Sequence, residues 1–201
     1  MTAPERRWAA ELLHVWFHDL GPEQWWGGSN AVDTMLRPRF QRDLVALGMR
    51  PAGEFLTDPL TARAAIILFD QLPRNIHRGT PQAFARDPLA RRLTRFVLAR
   101  GWGLSLTLRE RPFVYMPLMH NESIADQRDS SAIFAARARA NLGFARAHHR
   151  MIARFGRFPH RNAVLGRRSR AAEKAAIAAG FSREPAARPQ RINCPRIAPL
   201  G

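Results

Sequence analysis

Apolar residues recur at helical spacing along most of the chain. The clearest examples are Trp8, Leu12, Val15 and Trp16 near the start, and Leu89, Leu93, Phe96 and Val97 further on. Such spacing places apolar side chains on one face of a helix. Strict alternation of apolar and polar residues is not sustained in any segment, so strands are not expected. The pattern predicts an all-α fold, a compact array of about seven to nine helices with essentially no sheet.

Prolines and polar residues predict where these helices begin and end. Asp58 and Asp87 each precede a proline, which predicts two helices that begin with an aspartate N-cap and a first-turn proline. The first of these helices is apolar nearly all round and should lie at the centre of the fold. Pro73 predicts its end near Leu72, and Pro38 predicts a kink or a break in an earlier helix.

The character of the chain changes after Gly166. Residues 1–167 are predicted to form a single helical domain, and residues 168–180 a short helix of uncertain docking. Residues 181–201 are rich in arginine and proline and poor in large apolar residues. A segment of this composition cannot bury enough apolar surface to order itself, so we predict a flexible tail.

The formal net charge is +16. The chain contains 32 Lys and Arg residues together, and all of them except Lys174 are arginines, so the positive charge comes almost entirely from arginine. An arginine-rich protein can neutralise phosphates and bind nucleic acid. Coding bias toward Arg, Ala, Pro and Gly is the competing explanation, and the arginines are scattered rather than gathered in one run.

Cysteine and hydropathy suggest the compartment. Cys194 is the single cysteine, so one chain cannot form an internal disulfide or a cysteine-based metal site. The longest aliphatic and aromatic run, residues 64–69, is far too short to span a bilayer. With no secretory signal pattern at the N-terminus, we expect a cytoplasmic protein that does not associate with a membrane.

The first of three polar clusters follows the most hydrophobic helix directly. It contains Asp70, Arg74 and Asn75. Arg74 could bind a carboxylate or phosphate through its planar guanidinium, with Asp70 and Asn75 beside it. The alternative is an internal network in which Asp70 and Arg74 pair and close the end of the helix.

The second cluster runs from residue 120 to residue 127. His120, Glu122 and Asp126 are candidate catalytic residues, because a histidine beside carboxylates can transfer protons, and Gln127 is a candidate ligand-binding residue. The alternative is an ordinary helix start, where acidic residues complement the helix dipole. The spacing matches no metal motif, so no metal ligands and no cofactor are predicted.

The third cluster is a turn between Gly156 and Gly166. His160 is a candidate proton donor or acceptor, and Arg157, Arg161 and Asn162 are candidate anion ligands. These side chains could instead bond backbone carbonyls and lock the turn. Both interpretations remain open from the sequence.

Four motifs in a fixed order resemble a known family. They are Trp16-Phe17, then Asp70-Gln71-Leu72-Pro73-Arg74-Asn75-Ile76 with Arg78-Gly79-Thr80, then Tyr115-Met116-Pro117-Leu118-Met119-His120, and finally residues 154–162 with Leu165-Gly166-Arg167. Together they resemble the bacterial domain-of-unknown-function family 924. The resemblance implies an all-helical fold similar to tetratricopeptide superhelices. It implies no established reaction, substrate or cofactor.

Three functions remain as hypotheses, and whether the chain is an enzyme is left undecided. The first is a small-anion-binding or hydrolase-like protein with one His, Arg and carboxylate pocket. The second is a tetratricopeptide-like scaffold that binds acidic peptides in an arginine-lined groove. The third is nucleic-acid binding through arginines, which rests on charge alone.

Overall fold

The computed structural model describes residues 6–179, and within that range every regular element is helical. The α-helices are α1 (Arg7–His14), α2 (Pro22–Gly27), α3 (Asn30–Leu47), α4 (Pro59–Ile76), α5 (Asp87–Ala99), α6 (Arg111–Met119), α7 (Ile124–Arg137), α8 (Leu142–Phe155) and α9 (Ala171–Ala178). A π-helical turn, Val15–Asp19, follows α1, and four short 3-10 turns lie at Ala52–Phe55, Pro81–Phe84, Arg139–Asn141 and Pro159–Arg161. The all-α prediction is confirmed, whereas the tetratricopeptide-like winding stays a prediction.

Helix α4 lies at the centre of the array, as its apolar composition predicts. It packs against α1, α3, α5 and α6, and its residues from Ala64 to Phe69 are completely buried. Its start is set by Asp58, whose Oδ1 accepts a hydrogen bond of 2.8 Å from the backbone N–H of Thr61. The predicted aspartate cap and first-turn proline are therefore confirmed for this helix.

Consecutive helices pack against one another from α3 to α8, and α7 and α8 form the last large pair. One core cluster joins α1 to α7, and its largest fully buried side chains include Trp16, Tyr115 and Phe40. A second, smaller cluster of Met151, Ile152, Phe155, Phe158 and Ala176 joins α8, the turn after it and α9. This second cluster fixes the third polar motif to the rest of the domain, since burial of apolar area is the main favourable term in such packing.

A break of α3 at Pro38 and an end of α4 near Leu72 are both wrong predictions. Helix α3 runs without a break through Pro38, and α4 continues through Pro73 to Ile76. A proline lacks the N–H of a helical residue and displaces the carbonyls of the preceding turn. In α4 the carbonyl that Pro73 leaves without its helical donor is that of Phe69, and the next two carbonyls accept additional side-chain bonds, from Arg74 Nη1 to the Asp70 oxygen and from Asn75 Nδ2 to the Gln71 oxygen at 3.1 Å.

The predicted aspartate cap of α5 is also wrong. Asp87 is the first residue of that helix rather than its cap, and its carboxylate contacts arginines from two other segments. The short helix predicted within residues 168–180 is α9, which contacts the 3-10 turn Pro159–Arg161. The predicted tail, residues 181–201, lies outside the described residues.

Candidate functional site

A buried carboxylate and histidine join the first and second polar clusters. Asp70 on α4 is fully buried, and its Oδ1 and Oδ2 lie 2.8 Å and 3.0 Å from Nδ1 of His120, the residue that ends α6. Burial alone would raise the pKa of Asp70, but the charges of His120 and Arg74 and two side-chain hydrogen bonds lower that pKa to about 2. Asp70 is therefore an anion that binds the Nδ1 side of His120 and leaves Nε2 on the opposite side of the ring.

His148 on α8 lies against this pair. The centroids of its ring and the His120 ring are 6.1 Å apart, and its Nδ1 lies 2.9 Å from the carbonyl oxygen of Phe144. That carbonyl can only accept, so Nδ1 carries the proton and Nε2 is an acceptor. Burial, followed by the charge of His120, lowers the pKa of His148 to about 3, so this imidazole is neutral at pH 7.

The turn after α8 brings the third cluster to the same place. Gly156 ends α8 with a φ of 71°, a left-handed conformation that glycine adopts without a steric penalty. Phe158 then packs on the ring of His148, with ring centroids 5.4 Å apart, and His160 lies 5.5 Å beyond Phe158. The order His120, His148, Phe158, His160 is thus a continuous row of rings.

His160 is the most solvent-exposed of the three histidines, although protein atoms crowd one side of its ring. This local loss of water, followed by the charge of Arg161, lowers the pKa of His160 to about 4. The imidazole is therefore uncharged at neutral pH, and it stands next to an arginine without adding a second positive charge.

Arg161 is a buried cation held between two aromatic rings. Its guanidinium carbon lies 4.5 Å from the ring centroid of Phe84 and 4.5 Å from that of Phe158, and the residue is 7% exposed. Its Nη1 contacts Asp87 Oδ2 at 3.4 Å, while its buried Nε has no hydrogen-bond partner among residues 6–179. Burial and the nearby charge of Arg74 lower the pKa of Arg161 to about 10, so its charge is incompletely compensated.

Asp87 connects the first and third clusters. Arg74 donates to both of its carboxylate oxygens, at 2.9 Å and 3.0 Å, in the paired geometry that makes an arginine–carboxylate contact strong. Arg161 contacts the same carboxylate at Oδ2. The charge of Arg74 is therefore neutralised more fully, by Asp87 and by Asp70 at 3.4 Å, than the charge of Arg161.

Glu122 connects the second and third clusters, but in a way that the sequence did not suggest. Its carboxylate accepts from the backbone N–H of Phe158 at 2.7 Å and from Arg167 at 2.6 Å and 2.9 Å. Burial would raise the pKa of Glu122, but Arg167 and the Phe158 N–H lower it overall. Glu122 thus holds the turn that carries Phe158. It does not orient His120, whose carboxylate partner is Asp70.

Several predicted site residues lie in contacts away from the row of rings. Asp126 is fully buried and pairs with Arg91 and Arg95 of α5. Gln127 donates to the carbonyl oxygens of Met119 and Asn121, and Asn75 accepts from Arg78 at 3.1 Å. These contacts tie helices and helix ends together.

Arg157 and Asn162 bind a residue that the sequence did not single out, Glu173 of α9. Arg157 donates to both carboxylate oxygens of Glu173, at 2.8 Å and 2.9 Å, and Asn162 Nδ2 donates to Oε2 at 3.2 Å. The arginine contacts from Arg157 and Arg170 lower the pKa of this fully buried carboxyl. Glu173 therefore anchors α9 on the turn that carries Arg161.

Three segments distant in the sequence do meet, around six side chains. These are Asp70, Asp87, His120, His148, His160 and Arg161. His148 and Asp87 were missed as site residues, because one lies on an otherwise basic helix and the other looks like a cap. Within residues 6–179 no group of three or more His, Cys, Asp and Glu side chains has a geometry that could hold a metal ion. No helix in that range is long and apolar enough to cross a bilayer.

Comparisons with known proteins identify the family. The model of a family described as "Bacterial protein of unknown function (DUF924)" matches residues 12–180, which confirms the resemblance seen in the motifs. A solved structure of a protein of unknown function, ATU0120 from Agrobacterium tumefaciens, has a TM-score of 0.81 and 32% sequence identity, over 86% of this chain and 97% of that one. A comparison with curated proteins finds no match. The chain belongs to the DUF924 family of bacterial proteins of unknown function.

Proposed function

We propose that the chain binds a small anion, a carboxylate or a phosphate monoester, at Arg161 and that the Asp70–His120 pair transfers a proton to or from that ligand. The proposal combines two features that lie within one row of side chains. One is a cation whose charge is incompletely neutralised, and the other is a histidine whose orientation is fixed by a buried carboxylate. Together they suit a small-anion-binding protein with hydrolase-like acid–base chemistry.

The state of Arg161 is the single observation that carries the proposal. A buried guanidinium is normally paired with carboxylates that satisfy its donors. Here the carboxylate that Arg161 contacts among residues 6–179, that of Asp87, is already bonded by both Nη atoms of Arg74, and the Nε of Arg161 has no partner within the described chain. An anion bound beside Arg161 would supply the missing charge, and the two phenylalanine rings fix the plane of the guanidinium for it.

The Asp70–His120 pair supports the catalytic half of the proposal. A carboxylate on Nδ1 fixes one tautomer of a neutral imidazole and leaves Nε2 as a base, and it also stabilises the imidazolium that forms when that base accepts a proton. Asp70 supplies this carboxylate while remaining ionised at all pH values near neutrality. His148, neutral and with Nε2 as an acceptor, adds a second hydrogen-bond acceptor on a ring whose centroid lies 6.1 Å from that of His120.

Anion binding is tested by titrating the protein with inorganic phosphate and with acetate while the imidazole resonances are followed by NMR. We expect the signals of His120, His148 and His160 to shift along one saturating curve, since they lie in one row. The Arg161→Gln variant should lose this response. Arg168→Gln is the matched control, because Arg168 is exposed in the same region and makes no side-chain ion pair within residues 6–179. An equal response in both variants would refute the role of Arg161.

Proton transfer is tested with a panel of small anionic esters, among them a nitrophenyl phosphate. For an ester that is turned over, Asp70→Asn and His120→Gln should each lower kcat by about 100-fold or more, while Arg161→Gln should mainly raise KM. Anion binding without turnover of any ester, or turnover that survives both substitutions, would remove the acid–base role and leave an anion-binding protein.

A further inference from the structure

One face of α8 carries a line of exposed arginines. Arg146, Arg150 and Arg154 follow one another at intervals of four residues, and all three are exposed. Four helical residues rise about 6 Å, so the three arginines form a ridge about 12 Å long on one side of the helix. The histidine that α8 contributes to the candidate site, His148, lies on the other side of the helix.

Carboxylates among the described residues do not neutralise the arginine ridge. The sequence of α8 contains no aspartate or glutamate, and none of the three arginines forms an ion pair with a residue between 6 and 179. Other arginines of the fold do form such pairs, as Arg91 and Arg95 do with Asp126. Like charges four residues apart destabilise a helix, so the ridge does not contribute to the stability of α8.

We infer that the arginine ridge binds the phosphodiester backbone of duplex nucleic acid, a function beyond the small-anion site. Arginines about 6 Å apart on one line can each contact a different phosphate of one strand, because a strand of a duplex carries one phosphate per nucleotide at a rise of about 3.4 Å. Arginine is well suited to phosphate, since its planar guanidinium donates two parallel hydrogen bonds to phosphate oxygens.

The rest of α8 favours a duplex over other polyanions. Its large apolar residues Met151, Ile152 and Phe155 are buried in the protein, so the ridge lacks the exposed apolar flank with which a helix enters a membrane surface. The two phenylalanine rings of α8 are not fully exposed either, since Phe155 is buried and Phe144 is half-buried. With no exposed ring on which an unpaired base could stack, contact with the backbone of a duplex fits better than contact with a single strand.

The experiment measures binding of the full chain to a labelled 20-base-pair duplex by fluorescence anisotropy at several salt concentrations. The test variant replaces all three ridge arginines with glutamine. The matched control replaces Arg7, Arg42 and Arg92, which are exposed, unpaired within the described range and spread over α1, α3 and α5. Both variants lose three charges from the net +16, so any effect of overall charge is the same in the two proteins.

Three lost phosphate contacts predict a specific change. The slope of log Kobs against log salt should become smaller by about 2.7, which corresponds to about 500-fold weaker binding at 0.1 M salt, while the control changes by less than about threefold. Equal weakening of both variants, tighter binding of a single strand or of anionic phosphatidylserine vesicles than of the duplex, or no binding at 25 mM salt would overturn the inference. Circular dichroism of both variants checks that α8 remains helical.

Discussion

Replacing Asp70 with asparagine tests the buried pair at the centre of the site. The substitution keeps the size of the side chain and removes its charge. Asp70 accepts hydrogen bonds from His120 and Gln71 and lies 3.4 Å from Arg74 Nη1. A hydrogen bond to a charged group contributes about 1.5–3 kcal/mol, and breaking a buried ion pair costs about 3–5 kcal/mol. Because Arg74 keeps Asp87, we expect the lower end, about 3 kcal/mol.

The assay is urea unfolding of both proteins at pH 7, together with thermal unfolding. For a domain of this size a loss of about 3 kcal/mol lowers Tm by about 6–12 °C. The control is Asp129→Asn, because Asp129 is 48% exposed and its pair with Arg95 should contribute less than about 1 kcal/mol. A double-mutant cycle with His120→Gln measures the coupling, and the double variant should lose less than the sum of the two single variants.

The pH dependence gives an independent check. The folded pKa of Asp70, about 2, lies below its ordinary value of 3.8, so its stabilisation is complete above pH 3.8 and is lost as pH falls toward 2. The difference in unfolding free energy between wild type and Asp70→Asn should therefore shrink by up to about 2 kcal/mol as the pH is lowered through this window. A variant within about 0.5 kcal/mol of wild type at pH 7, with a constant difference at lower pH, would refute the ionised pair.

Three further predictions concern the surroundings of the site. Because the pKa of His148 is lowered to about 3 in the folded protein, the wild type loses stability as the pH falls below 6.5. Between pH 7.5 and pH 5 the unfolding free energy of His148→Gln, measured in urea titrations, should therefore fall by about 1–2 kcal/mol less than that of the wild type. In Gly103→Ala a new Cβ would lie 2.6 Å from the Tyr115 hydroxyl oxygen, so the unfolding free energy should fall by about 1–3 kcal/mol. Adding Tyr115→Phe should partly restore it. The control Gly143→Ala on α8, whose new Cβ has no atom within 4 Å, should be neutral or stabilising. Glu173→Gln should speed limited proteolysis within residues 167–179, read by mass spectrometry, because that carboxylate holds α9 on the turn, and an unchanged cleavage pattern would contradict this anchoring role.

The candidate site shows how far local sequence reasoning reaches. The three polar clusters were found because each lies at the end of a helix that the apolar pattern had already predicted. Within them His120, His160 and Arg161 lie in the row of side chains, and Asp70 binds His120 across fifty residues of sequence. The resemblance to the family drew attention to the same segments without assigning roles to them.

The partners within the clusters were not predictable in the same way. Glu122 stands near His120 in sequence, yet it binds Arg167 and the Phe158 N–H, since those groups lie nearer in space. Asp126 turns toward α5, on the other side of α7. In both cases the sequence interval reports neighbours along the chain, whereas the ion pair depends on which segment packs against the carboxylate.

The amino-acid sequence by itself determined the helices of this protein, the central position of α4 and the cap at Asp58, because apolar periodicity and capping depend on residues within one or two turns. Only the tertiary structure decided that Asp87 bridges two arginines, that His148 lies beside His120, and that α3 and α4 continue through their prolines. Those outcomes depend on contacts between segments that are far apart along the chain. Packing the helices brings such groups together and settles which charges are neutralised within the fold and which, like Arg161, are not.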